Sequence, residues 1–419
     1  MKRKYQYDVV VAGGGTAGVA AAAGAAMAGA KTLLIERNPY LGGEATHSGV
    51  AAFCGFFTCG GNPVRVVEGA GELILKEMKA LSESSWNHVV SATGNKNVNF
   101  HPEYLKCAMD NVLEKTGVTC FFHTRITGVC TEERAVTALE CVDDEGGFLV
   151  EAKAFVDTTG DANVVHLAGA PTLWGDENGN VQAATLPFRL SGVDTSCDLT
   201  PQAVEKAVIR AKEDGIPHLT KEKGFILKRE GMELDTRRQV LYYVEAFKKY
   251  LHGMEDCELT VIGPAIGFRE TRRMKGKEII TAEDVLGRRK RPDGVARAGW
   301  KPEIHMDANK MGTYIEVSEG SWFDVPLGAL QCESLDNLYG AGRMVSSEQT
   351  AHAAVRVMGT CFATGHAAGV AAACQALHGE APAEAVRAEL EKQGALLQHG
   401  CKEVRNYIKE TGKETDHDT

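Results

Sequence analysis

The chain has 419 residues, of which 44% are hydrophobic and 24% are charged, and its formal net charge is −10. This composition indicates a globular protein with a large core, and the acidic balance argues against a general nucleic-acid binder, because phosphate affinity comes mainly from accumulated Lys and Arg. Charged or polar residues interrupt every run of about 18 apolar residues, so we expect no membrane span.

The first predicted element is a strand, turn and helix at residues 7–29. The run YDVVVA is apolar and rich in Val, which is typical of a buried parallel strand. Gly13, Gly15 and Gly18 then satisfy the pattern G-x-G-x-x-G. Gly13 permits the tight turn, Gly15 lets the backbone approach a pyrophosphate, and Gly18 lets the helix lie close to the strand. The N-terminus of the Ala- and Gly-rich helix at 16–29 would direct free N–H groups at phosphate.

The second strand, KTLLIE, ends at Glu36, 21 residues after Gly15. An acid at this place can accept hydrogen bonds from both hydroxyls of a ribose and would repel a 2′-phosphate. Residues 7–37 therefore predict binding of an ADP-ribose group. They do not decide between NAD and FAD.

Strands are predicted to follow in the middle of the chain. The run VTCFFHTRITGV at 118–129 predicts one strand near the adenine side, and residues 135–157 predict a meander with DEGG as its turn. AFVDTTGDANVVHLAGA at 154–170 predicts a strand that ends in a TTGD turn.

Residues 171–324 mix predicted strands and helices and are interpreted as a substrate domain. Helical periodicity marks 199–215, with Thr200 as N-cap, and 234–253. The basic run GRRKRPDG at 287–294 is interpreted as a solvated loop.

Near the C-terminal end, NLYGAGRM at 337–344 predicts a strand followed by a glycine turn. The run TCFATGHAAGVAAACQA at 360–376 predicts a second helix of small residues, beginning between Thr360 and Gly365. Close helix packing through Gly365 and Gly369 is an alternative role for these glycines. We interpret residues 379–419 as an acidic and basic helical extension.

The order of these segments, with NPYLGGEAT at 38–46, resembles the FAD-dependent oxidoreductases of the glutathione-reductase superfamily. The branch it resembles lies near succinate dehydrogenase, the flavin-dependent tRNA-modifying enzymes and the flavin-binding subunit of heterodisulfide reductase. The resemblance implies FAD as cofactor and a Rossmann-like α/β domain of the glutathione-reductase type with an inserted α+β substrate domain. The expected division is 1–170 and 325–378 for the FAD-binding domain, 171–324 for the substrate domain and 379–419 for the extension. It implies no particular substrate.

In this arrangement both small-residue helices point their N-termini at the cofactor, the first at the pyrophosphate and the second at the pyrimidine end of the flavin. The cofactor contacts that we expect are Gly13, Gly15, Thr16, Ala17, Gly18, Glu36, Arg37, Gly43, Glu44, Thr46, His47, Ile126, Thr159, Gly160, Asp161, Gly342, Arg343, Thr360 and Gly365.

Candidate catalytic residues precede the second helix. His352 and Arg356 are four positions apart and would share a helix face, so that the His could move a proton and the Arg could hold an anion. A structural ion pair or turn cap is the alternative. Arg269 is a third candidate, with an Arg–Glu lattice around Glu270 as the alternative.

Two other features carry weaker expectations. Cys54 and Cys59 have the C-x4-C spacing of the redox pair in disulfide reductases of this superfamily, but they follow the glycine turn too late, so we interpret them as buried thiols. His47 lies near the place where succinate dehydrogenase relatives attach FAD covalently, but the surrounding residues differ, and we expect non-covalent FAD.

The expected activity is hydride transfer between the flavin and a small organic substrate. Because no second complete G-x-G-x-x-G occurs, electrons must also come from or go to an external donor or acceptor. The alternatives are a nucleotide-binding module without redox turnover and an electron-transfer subunit of a larger complex. The start of the chain does not resemble a signal peptide and its 12 cysteines include no C-x-x-C, so we expect reduced thiols and a cytoplasmic location. Homo-oligomerisation stays open.

Overall fold

The computed structural model describes residues 3–91, 93–216, 232–306 and 312–397. Its strands are β1 (Arg3–Ala12), β2 (Thr32–Ile35), β3 (Ala52–Phe53), β4 (Trp86–Val90), β5 (Lys96–Phe100), β6 (Thr119–Phe121), β7 (Arg125–Glu132), β8 (Ala135–Asp143), β9 (Gly146–Asp157), β10 (Thr172–Trp174), β11 (Phe188–Ser191), β12 (Glu258–Ile262), β13 (Arg272–Met274), β14 (Gly294–Ala298), β15 (Glu303–Ile304), β16 (Thr313–Tyr314), β17 (Phe323–Pro326) and β18 (Leu338–Gly340). Its helices are α1 (Thr16–Met27), α2 (Ala70–Leu81), α3 (Pro102–Thr116), α4 (Asn163–Leu167), α5 (Pro201–Glu213), α6 (Met232–Tyr250), α7 (Ala282–Leu286), α8 (Gln349–Val355), α9 (Met358–His378) and α10 (Ala383–Lys392).

A mixed sheet forms the centre of the molecule. β6, β2, β1 and β9 run parallel in that order, and β18 adds a parallel strand to the C-terminal half of β9. β8 and β7 continue antiparallel from the N-terminal half of β9. The Val-rich core of β1 is buried on both faces, as expected for a central parallel strand. The predicted α/β fold class is confirmed.

The predicted meander is confirmed, with its turn between Asp143 and Gly146. The single strand predicted at 118–129 is wrong, since the structure has two strands there, β6 and β7. The break contains His123 in the left-handed region, at φ 52°, which a continuous strand does not accommodate.

Helices α1 and α9 pack against each other at unusually short distance. An added Cβ at Gly365 would lie 2.1 Å from the carbonyl oxygen of Ala17, and one at Gly369 would lie 2.0 Å from that of Ala21. Gly18 is equally restricted, since an added Cβ at this residue would lie 1.8 Å from Gly13 O. The Ala and Gly content of both helices is therefore a packing requirement, and Gly18 sits close to the strand as predicted.

The predicted helices of the second region are confirmed as α5 and α6. Thr200 caps α5 by accepting a hydrogen bond from Ala203 N at 3.4 Å. β14 belongs to the predicted substrate region but packs against α9 and α10. The domain boundaries given by residue number stay a prediction.

The basic run at 287–294 is in part the solvated loop that we predicted, since Gly287, Arg289, Lys290 and Pro292 are exposed, but Arg288 and Gly294 are buried. Arg288 is buried and donates to Trp300 O at 3.1 Å, while Lys290 Nζ lies 3.9 Å from the centre of the Trp322 ring. A backbone carbonyl oxygen thus binds the charged group of Arg288, and an aromatic face binds that of Lys290. The aliphatic part of each side chain can then pack against the protein.

Of the predicted C-terminal extension, α10 is seen, and residues 398–419 lie outside the described residues. In the part of the chain that the structure describes, no single helix is long and apolar enough to cross a membrane. The bent pair α8 and α9, with 93° between its members, meets the length and composition criteria together. Most of its side chains are buried in the protein core.

Candidate functional site

A cavity of about 860 Å³ lies at the carboxyl edge of the parallel strands. Glu36 follows β2, Gly13 follows β1, Thr158 follows β9 and Gly342 follows β18, and all four line it. Neighbouring strands are about 4.8 Å apart, so the span from β2 to β18 covers roughly 14 Å. The cavity is therefore elongated across the sheet edge, with a β2 end and a β18 end.

The turn between β1 and α1 forms the middle of this cavity. Gly13 has φ +98° and its added Cβ would meet Thr158 O at 2.8 Å, so the tight turn needs glycine. Among the described residues, Gly43 Cα at 3.9 Å is the only atom within 4 Å of an added Cβ at Gly15. Gly15 precedes α1, whose first turn has neither a capping side chain nor an acid. Space and unpaired N–H groups thus coincide at the place predicted for pyrophosphate.

Glu36 at the β2 end is buried and already hydrogen-bonded. Its Oε2 accepts from Gly14 N at 2.6 Å, and its Oε1 accepts from the backbone and side-chain nitrogens of Asn38, both at 2.8 Å. The carboxylate therefore joins the glycine turn to the segment after β2. It also lines the cavity, as ribose recognition requires.

The TTGD turn after β9 is fixed by a residue that the sequence reasoning missed. Asp157 is buried and accepts hydrogen bonds from Thr159 N and Oγ1, Val164 N and Val165 N. Asp161 from the same turn pairs with Arg343 at 3.0 Å. Burial raises the pKa of Asp161, but the charge of Arg343 opposes it and the net pKa is lowered, so this pair is ionic.

The β18 end of the cavity is formed by the start of α9 and by the segment after β12. Arg356, which lies just before α9, lines this end together with Met358 and Cys361 of α9. The segment after β12 forms a mostly apolar wall. That wall consists of Ala265, Ile266 and Phe268. Like α1, α9 begins without a capping side chain or an acid in its first turn. Burial raises the pKa of Cys361 to about 12, so it is a neutral thiol that donates to Arg356 O.

Most predicted contact residues line this one cavity. They are Gly13, Gly15, Thr16, Ala17, Glu36, Arg37, Gly43, Glu44, His47, Ile126, Thr159, Gly160, Asp161, Gly342 and Arg343, and the catalytic candidate Arg356 lines it as well. The segment after β12 and residues 124–127 at the start of β7 were largely missed, because neither carries a motif.

Four predicted contacts lie behind the cavity wall. Gly18 and Gly365 are in contact with backbone, and Thr46 is buried with its hydroxyl donated to Leu41 O at 2.6 Å. Thr360 is buried too, and α9 begins two residues before it, at Met358. Neither Thr360 nor Gly365 lines the cavity and the packing alternative describes Gly365, while the predicted flavin contacts of both residues stay predictions.

His352 is not placed to move a proton in the cavity. It is fully buried, and its Nε2 donates to Arg343 O at 2.7 Å. Burial, followed by the charges of Arg273 and Arg356, holds its pKa well below 6.5. The side chains of His352 and Arg356 also separate, since the latter reaches Gln182 and Glu303. The assignment of His352 as a catalytic acid or base is corrected to a structural role.

The other candidate residues also lie outside the cavity lining. Arg269 does not line the cavity but follows Phe268, which does. The expected Arg–Glu lattice exists as a buried ion pair of Arg273 with Glu270, and it does not include Arg269. Cys54 and Cys59 lie outside the cavity lining and are free thiols, and burial raises the pKa of Cys54 to about 12.

A dinucleotide carrying a flavin fits this arrangement. The open cradle at Gly15 and the starts of α1 and α9, which lack side-chain caps, suit a diphosphate and the negative charge of a reduced flavin ring. The buried Glu44 Oε2 and Arg356 Nε have no hydrogen-bond partner among the described residues, so polar groups are left available for a ligand. No cluster of metal-binding side chains occurs in the described ranges.

The family model described as FAD dependent oxidoreductase matches residues 8–235 and 226–393. Solved structures with a similar fold include a geranylgeranyl bacteriochlorophyll reductase-like protein from Thermoplasma acidophilum, with 15% identity, TM-score 0.47, and 97% of this chain and 87% of that chain covered. GidA from Aquifex aeolicus has 14% identity and TM-score 0.48 over 90% of this chain and 65% of its own. The Mycobacterium smegmatis Sdh1 complex has 13% identity and TM-score 0.43 over 91% and 70%.

No curated protein matches the sequence. The family match covers both the glycine turn after β1 and the returning segment of β18 and α9. It confirms the resemblance inferred from the motifs: this chain belongs to the FAD-dependent oxidoreductases, and its cofactor is FAD.

Proposed function

We propose that the protein transfers a hydride between FAD and a small organic molecule bound at the β18 end of the cavity. The observation that carries the proposal is that two helices without a side-chain cap begin beside one cavity, at Thr16 and at Met358, although in α9 the N–H of Gly359 already donates to Cys54 O at 2.8 Å. When bound, FAD supplies a hydride acceptor or donor in its flavin ring. The protein binds and orients it, and excludes water from the reacting face.

In this arrangement the nucleotide half occupies the β2 end. The first N–H groups of α1 donate to the diphosphate, Glu36 accepts from the ribose, and Ile126 packs at the adenine side. The flavin half extends towards β18. There the start of α9 favours negative charge on the ring by about 0.3–1 kcal/mol, and by more when partly buried.

The substrate would lie between the flavin and the wall formed by Ile266 and Phe268. These apolar side chains limit the access of water, which strengthens the polar contacts that remain. His47 replaces His352 as the group that moves the accompanying proton. It lines the cavity, and its Nδ1 lies 3.3 Å from Tyr40 Oη, which orients the ring.

The protein would exchange electrons with an external donor or acceptor. It would act in the cytoplasm, and its substrate would be a small molecule and not a nucleic acid or a membrane. The absence of a second nucleotide-binding glycine motif in the sequence supports an external partner. The competing role of an electron-transfer subunit predicts flavin reduction only by a protein partner. Anaerobic bleaching of the flavin by a metabolite alone favours the enzyme.

The sharpest test of the cavity assignment uses two glycines with the same surroundings. An added Cβ has its nearest protein contact at 3.9 Å both at Gly15 and at Gly147, and neither residue has a positive φ. Gly147 lies in the meander, outside the cavity lining. Gly15→Ala should keep the thermal stability of the apoprotein but weaken FAD binding at least about tenfold, since the new methyl group meets the diphosphate.

The matched variant Gly147→Ala should bind FAD as the parent does. Affinity is measured by titrating apoprotein with FAD and following the flavin band at about 450 nm. Equal FAD affinities of the two variants would show that the pyrophosphate does not bind at the β1–α1 turn. If the purified protein neither releases flavin nor binds added flavin, the proposed function as a whole is wrong.

A further inference from the structure

Arg356 has more hydrogen-bond capacity than the surrounding protein uses. Its Nη2 donates to Gln182 Oε1 at 3.3 Å and to Glu303 O at 3.1 Å. Its Nε is buried and has no partner among the described residues. A guanidinium carries five N–H donors, and an unsatisfied buried donor is costly. Since Arg356 lines the cavity, a ligand there could satisfy the donors that remain.

Arg269 provides a second guanidinium at the same end. Its Nη1 donates to Ala183 O and Thr185 Oγ1, both at 2.7 Å. These acceptors are neutral, and in the described ranges neither Arg269 nor Arg356 has a carboxylate within ion-pair distance. Burial, followed by the charge of Arg269, lowers the pKa of Arg356 to about 10.

Three carboxylates, Glu303, Glu270 and Glu44, act electrostatically on these arginines, but in the described ranges none forms an ion pair with either of them. Glu303 accepts from His305 Nε2 at 3.0 Å and from Tyr314 Oη at 2.9 Å. Glu270 pairs with Arg273. Glu44 lies 3.6 Å from Arg343, and its second oxygen has no partner among the described residues. Arg356 therefore faces the cavity and Arg269 lies behind Phe268 of its wall, both without an ion-pair partner among the described residues, and an anion in the cavity would be attracted by both charges.

We propose that the substrate is a small organic carboxylate, that Arg356 binds its carboxylate group, and that Arg269 supplies the second positive charge. This inference rests on the proposed function, since it names the class of molecule that occupies the β18 end. The planar fork of a guanidinium matches a carboxylate in two parallel hydrogen bonds. The adjacent wall of Ile266 and Phe268 suits an apolar body attached to that group.

The inference is tested on the FAD-loaded protein with carboxylates and their neutral amides. Acetate, benzoate and succinate are titrated against acetamide, benzamide and succinamide, with sulfate and phosphate as inorganic anions. Binding is followed by the shift of the flavin absorption band and, independently, by the melting temperature. At least one carboxylate should bind about tenfold or more tightly than its amide and than the inorganic anions.

Variants assign the effect to the two guanidinium groups. Arg356→Gln should weaken binding of that carboxylate at least about tenfold, Arg356→Lys should restore only part of it, and Arg269→Gln should weaken it less. Arg134→Gln is the control, because Arg134 pairs with Asp336 on the exposed surface. This control should bind as the parent does.

Three results would overturn the inference. The first is that no carboxylate binds. The second is that the amides or the inorganic anions bind as tightly as the carboxylates. The third is that Arg356→Gln binds the carboxylate with unchanged affinity. If that variant instead alters only the reduction potential of the flavin, the arginine serves the ring and not the substrate. Failure of the proposed function looks different, because the parent protein would then contain no flavin.

Discussion

Replacement of Gly365 by Ala tests whether this glycine serves helix packing. The added Cβ would lie 2.1 Å from Ala17 O, and side-chain carbons in proteins essentially never approach closer than 3.0 Å, so α9 and α1 must separate by at least 0.9 Å, the difference between these two distances. The obstacle is backbone and cannot rotate away. Overpacking of a core typically costs 1–3 kcal/mol, and we expect Gly365→Ala to reach about 3 kcal/mol.

Gly61→Ala is the matched control, because nothing lies within 4 Å of the added atom and the residue does not have a positive φ. Its free energy of unfolding should change by no more than about 1 kcal/mol. Urea unfolding is measured on apoprotein and on FAD-loaded protein for the parent and both variants. The apoprotein of Gly365→Ala should already be destabilised. If it unfolds like Gly61→Ala and only FAD affinity falls, Gly365 contacts the cofactor and the packing argument fails.

Four further outcomes are expected. Glu36→Gln should weaken FAD binding about tenfold, as titration of apoprotein will show, because the carboxylate loses charge toward the ribose and toward Gly14 N–H. His352→Ala should lower the melting temperature but leave the rate of flavin reduction per bound FAD unchanged, since the imidazole is buried; a slow variant of normal stability would contradict this. Changing both Cys54 and Cys59 to Ser should not affect flavin reduction by substrate, and a loss of turnover at normal flavin content would instead indicate a dithiol relay. Burial raises the pKa of Glu303, but hydrogen bonds from His305 and Tyr314 outweigh burial and bring the pKa to about 2, against an ordinary 4.5. A group with a depressed pKa stabilises the fold above its ordinary pKa, so Glu303→Gln should cost about 3 kcal/mol near neutral pH and progressively less as pH falls from 4.5 towards 2, in urea unfolding at each pH.

The β2 half of the site was predictable from sequence because one continuous segment builds it. The glycine turn, α1 and Glu36 lie within residues 7–37, and each glycine has a local steric reason that the pattern records. The strand and turn at 337–344 were predictable for a similar reason, since glycine marks the turn.

The substrate half was not predictable to the same extent, because it depends on which way side chains point. The four-residue spacing of His352 and Arg356 places both on one helical face only if the helix continues. Arg356 still has helical backbone angles and donates its N–H to His352 O at 3.1 Å, but the two side chains diverge, since Arg356 reaches Gln182 and Glu303 O whereas His352 reaches Arg343 O in the core. The wall at Ile266 and Phe268 comes from a loop whose position depends on contacts far away in sequence, such as Arg343 with Phe268 O at 2.7 Å.

The position of β18 beside β9 should also affect how fast the protein is degraded. The cavity is lined by residues from 13–48 and from 342–361, among others, so FAD bound there would act as a non-covalent cross-link between distant parts of the polypeptide. A ligand that binds only the folded state stabilises it by about 2.7 kcal/mol at a concentration of 100 Kd. Chains made when flavin is scarce should therefore open more often at the β9–β18 junction and be cleaved faster by proteases, so the supply of flavin would set the abundance of this protein.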